Sequence, residues 1–359
     1  MNLCLVIPSL QAGGMERVMS ILADEFARKD KVKIHLVLYG KRQTIFYPLA
    51  QNIQIHRPSF VFNNTFRLWF TLKTICYMRK EIKRINPDTI LSFGEYWNSF
   101  VLFSLFGLKY PVFISDRCQP DKKFGRLHSI LRKGLYPRAS GIISQTNIAR
   151  EIFHKQKLNN NINVIGNPVR PSNVDLKPIE KENIILSVGR LISSKHHDEL
   201  IKVFSRIDNS DWKLIIVGDD ALKQNNREKL QALIKHLNME DRVILCGTVS
   251  NVEDYYHKSK IFAFTSSSEG FPNVISEAQV AGLPVVAFDC IAGPADLISD
   301  GENGYLVPLF DYKLFSKRLQ ELISDTSLRT ELGNRAKQSV KKFAAQSVAN
   351  EYFKMITTR

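Results

Sequence analysis

Cysteine is scarce in this sequence, and what there is does not pair. The 359 residues contain five, Cys4, Cys76, Cys118, Cys246 and Cys290, scattered and with no two at metal-ligand spacing. That excludes a disulfide scaffold and points to reduced thiols in the core of a cytosolic protein. A long apolar run is also lacking: the longest, FVLFSLFGL at 100–108, falls far short of the ~20 residues that span a bilayer. The N-terminus MNLCLVIPSL has no basic segment before its apolar stretch and runs on into a glycine pair, so it reads as a first strand and not as a signal peptide. There is no low-complexity segment, and an apolar content of 44% with 24% charged residues excludes wholesale disorder.

Acidic residues are sparse in the first half only. Residues 1–170 hold 10 Asp and Glu against 26 Lys and Arg, whereas the remainder holds 25 against 24, so the net charge of +15 resides in the first half. Such asymmetry calls for an anionic partner of that half alone.

What is present is an alternation. Strand-like runs at 2–8, 32–38, 53–57, 88–93, 110–115, 140–145 and 162–166 alternate with helical patterns at 13–28, 66–85, 97–106, 126–136 and 146–156. The segment 166–183, with three prolines and no periodicity, breaks the pattern and reads as an interdomain linker. Strands at 183–191, 212–220, 242–249, 261–266, 283–289 and 304–308 then alternate with helices at 196–207, 224–237, 251–258 and 273–281, and the tail from Asp311 reads as wholly helical. Strand–helix alternation implies parallel βαβ units, here in two open α/β halves whose ligands bind at C-terminal strand edges.

Three constellations carry chemistry. Gly13 and Gly14, between the first strand and first helix, permit a backbone to approach a phosphate, although a plain tight turn needs them equally. In GRLISSK (189–195), Gly189 ends a strand and Arg190 and Lys195 follow before a helix; two cations there suit a diphosphate, and solvated loop cations are the alternative. In TSSSEGFPNVISEAQVAGLPVVAFD (265–289), Glu269 sits in a turn shaped by Gly270 and Pro272, and Glu277 on the helix that follows. Two carboxylates could be a hydrolytic acid/base pair or acceptors for sugar hydroxyls, and the pair alone does not decide.

Together these segments resemble the retaining glycosyltransferases of the GT-B fold, glycosyltransferase family 4. SSEGFPNVISEAQVAGLPVVAFD with its two glutamates seven residues apart, GRLISSK, and GPADLISDGENGYLVP (293–308) are similar to that family's motifs and occur in its order. The resemblance implies two Rossmann-like open parallel-sheet domains facing across a cleft. Residues 1–165 would form an acceptor domain, 166–183 the linker and 184–340 a donor domain, with 341–359 a helix packing back on the first. It assigns Arg190 and Lys195 to the donor diphosphate, Glu277 to the ribose, and Glu269 with the backbone of Gly270, Phe271, Asn273 and Val274 to the transferred sugar. Gly13 and Gly14 would approach the diphosphate. It implies no metal and no cofactor, the nucleotide-sugar being a substrate; Asp219–Asp220 reads as a turn or a loop on the uracil side. Where many relatives carry a histidine, this chain reads ISDRCQPDK, and Asp116 takes that place with an expected approach to the acceptor.

The basic half fits a membrane partner. Arg67, Lys73, Arg79, Lys80, Lys83 and Arg84 interleave with Trp69, Phe70 and Tyr77, and Lys122 and Lys123 open a second such stretch. A basic amphipathic helix with aromatics can lie on an anionic surface, each basic residue contributing ~1 kcal/mol; alternatively its apolar face packs in the core. No nucleic-acid fold accompanies the patch, so no nucleic acid is expected. The resulting expectation is transfer of a hexose or N-acetylhexosamine from a UDP-sugar to a polyprenyl-diphosphate-linked saccharide at the cytoplasmic membrane face. The rivals are a sugar-nucleotide epimerase on the same fold and a non-catalytic basic membrane- or anion-binding protein.

Overall fold

The computed structural model describes residues 1–41, 44–170, 180–208, 210–221 and 224–358. Among them thirteen strands form two all-parallel sheets. In the first sheet are β1 (Asn2–Ile7), β2 (Lys33–Leu38), β3 (Gln54–His56), β4 (Thr89–Phe93), β5 (Val112–Ser115), β6 (Gly141–Ser144) and β7 (Ile162–Val164). The second holds β8 (Ile184–Val188), β9 (Lys213–Val217), β10 (Val243–Gly247), β11 (Ile261–Phe264), β12 (Val285–Asp289) and β13 (Gly304–Pro308). The central strands read as near-continuous apolar runs because helices cover both faces of a parallel sheet. In β1, Leu3 through Ile7 are all fully buried.

Two compact units result, Met1–Arg170 with Phe343–Arg359, and Pro171–Lys342. The final helix, Ala345–Thr357, is part of the first: Val348, Ala349, Tyr352 and Ile356 complete the core made by β1, β2 and helix Gly14–Ala27. A bridge between Val169 and Ala344 ties the two ends of that unit together. Of the linker expected at 166–183, residues 171–179 lie outside the described residues.

Strand order locates the ligand edges. It runs β3-β2-β1-β4-β5-β6-β7 in the first sheet and β10-β9-β8-β11-β12-β13 in the second. Each order reverses once, between β1 and β4 and between β8 and β11. There successive connections leave on opposite faces, and a crevice opens beyond the C-terminal strand ends. The loops after β8 and β11 are GRLISSK and TSSSEGFPN. The loop after β1 carries Gly13 ahead of helix Gly14–Ala27, and that after β4 is Gly94 alone, which opens directly into helix Glu95–Ser104.

The expectation of five core thiols is corrected. Cys4 and Cys290 are buried, Cys118 and Cys246 are partly covered, and Cys76 is exposed, because it lies on the outer side of helix Arg67–Ile85. No helix of the described residues is long and apolar enough to cross a membrane.

Candidate functional site

In the second unit the loops after β8 and β11 are stitched into one surface. Thr265 Oγ1 donates to the Lys195 carbonyl at 2.7 Å, the Ser267 amide donates to the Ser194 carbonyl at 2.8 Å, and His196 Nε2 lies 2.9 Å from Ser267 Oγ. Lys195 turns inward and its ammonium pairs with Glu269 at 2.5 Å, both side chains being mostly shielded from solvent. The two residues lie 74 positions apart in the chain. An ammonium has three donors, so one can serve Glu269 while two stay available to anionic oxygens. Arg190 is exposed in the same loop, and among the described residues its guanidinium makes no ion pair. Two cations and a carboxylate at a sheet's switch point can hold a diphosphate beside a polyol.

Backbone geometry holds these loops in place. His196 adopts a left-handed conformation, φ 50°, immediately before helix His197–Ser205, which turns the chain sharply after Lys195. Gly218, at the end of β9, has φ 141°, and a Cβ there would collide with the Gly189 carbonyl oxygen. Gly293 has φ 100°, and a Cβ would strike the ring of Pro272 in the Glu269 turn. Glu277, on helix Asn273–Val280, accepts a hydrogen bond from the buried Tyr256 hydroxyl at 3.0 Å. Gly270 and Val274 flank the same turn, and Phe271 is buried beneath it. The Asn273 amide departs from expectation: it donates to the Phe271 carbonyl at 3.0 Å, so the turn itself uses that group. Asp220 caps helix Asn226–His236, accepting from the Asn226 amide at 2.9 Å, and Asp219 pairs with Arg227 at 3.6 Å.

His197 was not legible as a site residue. Its ring is buried against the Gly189–Arg190 backbone without a well-aligned hydrogen bond. Burial, reinforced by the Lys195 charge, pushes its pKa down to about 4. The fold therefore keeps the ring neutral, and the unfolded chain takes up the proton first as pH drops below its ordinary value of ~6.5. This contribution to stability is intact above pH ~6.5 and fades as pH falls towards 4, a loss on the order of 3 kcal/mol. Urea unfolding measured from pH 7 to 4 should show it, and His197→Gln should flatten the slope; an equally steep slope in the variant would place the acid sensitivity elsewhere.

The remaining expected residues lie in the first unit. Gly13 caps helix Gly14–Ala27, its amide and carbonyl both within 3.3 Å of the Tyr47 hydroxyl, and the Glu16 carboxylate folds back over it. Asp116 is 4% exposed, held by Arg132, by the Tyr136 hydroxyl at 2.7 Å and by Asn98 at 3.1 Å. Both its oxygens are engaged inside the unit, so it is a buried network member and not a group presented to an acceptor. The basic face is divided as well. Arg79 donates to the Ser104 and Phe106 carbonyls, Arg84 pairs with Glu81, and Lys122 pairs with Glu95 at 3.4 Å. Lys73 lies over the Phe60 and Phe70 rings, whereas Arg67, Lys80, Lys83 and Lys123 stand in solvent.

The loops after β8 and β11 thus bring two cations, Arg190 and Lys195, and the Glu269 carboxylate to the switch point of the second sheet. Residues 12–173 match the family model described as Glycosyltransferase Family 4, and residues 170–339 match Glycosyl transferases group 1. The chain is 30% identical over 371 residues to the N-acetylgalactosamine-N,N'-diacetylbacillosaminyl-diphospho-undecaprenol 4-alpha-N-acetylgalactosaminyltransferase of Campylobacter jejuni, covering 99% of each chain. It is 27% identical to a second transferase of that organism, which adds alpha-1,4-N-acetyl-D-galactosamine to a diNAcBac-PP-undecaprenol glycan, over 99% of this chain and 98% of the relative. Among solved structures it superimposes on the lipopolysaccharide outer core galactosyltransferase WaaB with a TM-score of 0.76 at 22% identity, covering 99% of both chains. On Anabaena HepE in complex with UDP the TM-score is 0.79 at 18% identity, covering 99% of this chain and all of the other. The chain belongs to glycosyltransferase family 4: it is a glycosyltransferase of the GT-B fold.

Proposed function

We propose that the protein transfers a hexose or N-acetylhexosamine from a UDP-sugar, with retention of anomeric configuration, to a polyprenyl-diphosphate-linked saccharide in surface polysaccharide or glycan assembly. The observation that carries this reading is the Lys195–Glu269 pair, formed between loops 74 residues apart and set beside Arg190. As the bond from sugar to diphosphate breaks, negative charge builds on the leaving phosphate oxygens. Arg190 as a fork and Lys195 as a point charge stabilise that charge more than they stabilise the intact donor. Glu269, oriented by Lys195, accepts from a hydroxyl of the transferred sugar, and Glu277, oriented by Tyr256, accepts from the ribose. The two cations do the neutralising work, so this reading requires no metal. The acceptor class is argued from the undecaprenol diphosphate acceptors named for the Campylobacter relatives. Incubating the purified protein with radiolabelled UDP-sugars and lipid-linked saccharides tests the reaction, with NMR of the product reporting the anomer. Hydrolysis of a glycan without any nucleotide donor would sink it.

The reading includes a membrane surface as partner. Helix Arg67–Ile85 packs through one stripe, Thr74, Met78, Ile82 and Ile85, and Glu81 meets His56 at 2.7 Å. Its first two turns leave Leu68, Trp69 and Leu72 exposed at 83%, 61% and 57%. Helix Arg126–Leu135 likewise exposes Leu127 and Ile130. Apolar side chains among lysines and arginines suit an anionic bilayer interface. Replacing Leu68, Trp69 and Leu72 with serine should weaken binding to phosphatidylglycerol vesicles by about tenfold or more and leave UDP binding unchanged. Undiminished vesicle binding would remove this face from the proposal.

A further inference from the structure

We propose that the first unit carries a subsite for the acceptor's sugar and its adjoining phosphate, built from Tyr96, Phe124, His128 and Lys122. The inference rests on the glycosyl-transfer reading and adds the residues that would grip the acceptor.

Topology places the cluster. Tyr96 follows the end of β4, at the switch point of the first sheet, and Lys122 and Phe124 lie in the loop after β5, the neighbouring strand. Tyr96 meets Phe124 edge-on at 5.4 Å between ring centroids, and His128 lies 4.6 Å from Tyr96 and 4.7 Å from Phe124. The Lys122 ammonium stands 5.1 Å from the Tyr96 ring centre and 3.4 Å from Glu95. Tyr96 and its neighbour Trp97 remain 46% and 42% exposed. A half-exposed aromatic cluster beside cations and a carboxylate matches a pyranose attached to phosphate. The sugar's C–H face packs on an aromatic ring, its hydroxyls reach Glu95, and Lys122 with the exposed Lys123 and Arg126 meets the phosphate charge.

The cluster stands on a rigid base. Arg132 spans from the buried Asp116 carboxylate to the Phe124 ring, 5.1 Å from its centre, and the Tyr136 hydroxyl lies within hydrogen-bonding distance of both Asp116 and the Glu95 carbonyl. A buried ion pair is a weak stability device once its desolvation is counted, but it fixes geometry. Here it locks helix Arg126–Leu135 and the loop ahead of it against the ends of β4 and β5. Asp116 is thereby a positioning residue for the acceptor subsite.

The test uses the full-length protein with geranyl diphosphate carrying N-acetylgalactosamine, and with geranyl diphosphate alone as the comparison. Binding is read by calorimetry, so that failure of the donor reading, seen as no transfer from any UDP-sugar, leaves this measurement standing. Tyr96→Ala and Phe124→Leu should each weaken the sugar-bearing probe about tenfold, and Tyr96→Phe should restore it. Lys122→Ala should weaken both probes, and Asp116→Asn should raise the acceptor KM with the donor KM unchanged. Unaltered probe binding in a folded Tyr96→Ala protein overturns the proposal. So does a Tyr96→Ala defect confined to vesicle binding, which would make the cluster a lipid contact.

Discussion

Lys195→Ala lowers the rate of transfer by about 10²–10³-fold, the usual cost of removing one preorganised group that stabilises transition-state charge. Assayed under single-turnover conditions, the loss should fall on the chemical step. The structure sharpens the expectation, because Lys195 also holds Glu269. Its removal leaves a mostly shielded carboxylate without its partner, and that carboxylate then repels the donor's phosphates. Glu269→Gln in the Lys195→Ala background should therefore recover part of the loss, a non-additivity that independent residues would not show. Glu277→Ala should cost about a hundredfold in kcat/KM if Glu277 accepts from the ribose as proposed, and it also removes the carboxylate to which the Tyr256 hydroxyl donates. Near-normal rates in both Lys195→Ala and Glu277→Ala would remove the donor-site assignment.

Gly218→Ala destabilises the second unit by about 3 kcal/mol or more. The residue holds φ 141°, which side-chain-bearing residues rarely adopt, and its Cβ would overlap the Gly189 carbonyl oxygen. Relief requires moving either the end of β9 or the first residue of the Gly189–Lys195 loop; if that loop holds the donor as proposed, protection by UDP against thermal unfolding should be lost along with stability. Gly125→Ala is the control: its φ is −60° and nothing lies within 4 Å of the new methyl group. That change should stay within about 1 kcal/mol of neutral. Equal Tm values for the two variants would refute the strain argument.

Much of the fold was legible because periodicity is a local property. The central strand segments are apolar runs closed by a turn residue, as strands buried on both faces must be, whereas the edge strands β3 (QIH) and β7 (INV) are short and partly exposed. The helix at Glu95–Ser104 begins two residues earlier than its apolar pattern, since Glu95 and Tyr96 make the first turn on the outside. Helix Arg67–Ile85 shows where pattern reading stopped. Thr74, Met78, Ile82 and Ile85 make one buried stripe, whereas Leu68, Trp69 and Leu72, residue types that read as core, stand in solvent. Which apolar residues are covered depends on the neighbours that reach the helix.

The site divides along the same line. Order and spacing alone placed Arg190, Lys195 and Glu269 in two loops at strand ends and Glu277 on the helix that follows, and a run such as SEGFPN between strand and helix is a chemical statement on its face. The sequence by itself also determined the two α/β halves and the concentration of positive charge in the first. Only the tertiary structure decided which of these groups touch: that Lys195 meets Glu269, that Tyr256 carries Glu277, and that Gly218 makes room for the Gly189 carbonyl. It moved Asp116 from the acceptor's side to a buried network, and it gathered Tyr96 from one helix, His128 from another and Phe124 from the loop between. The reason is that strand order in a parallel sheet differs from chain order. Residues far apart along the chain meet at the ends of adjacent strands, and local pattern carries no trace of which strands those are.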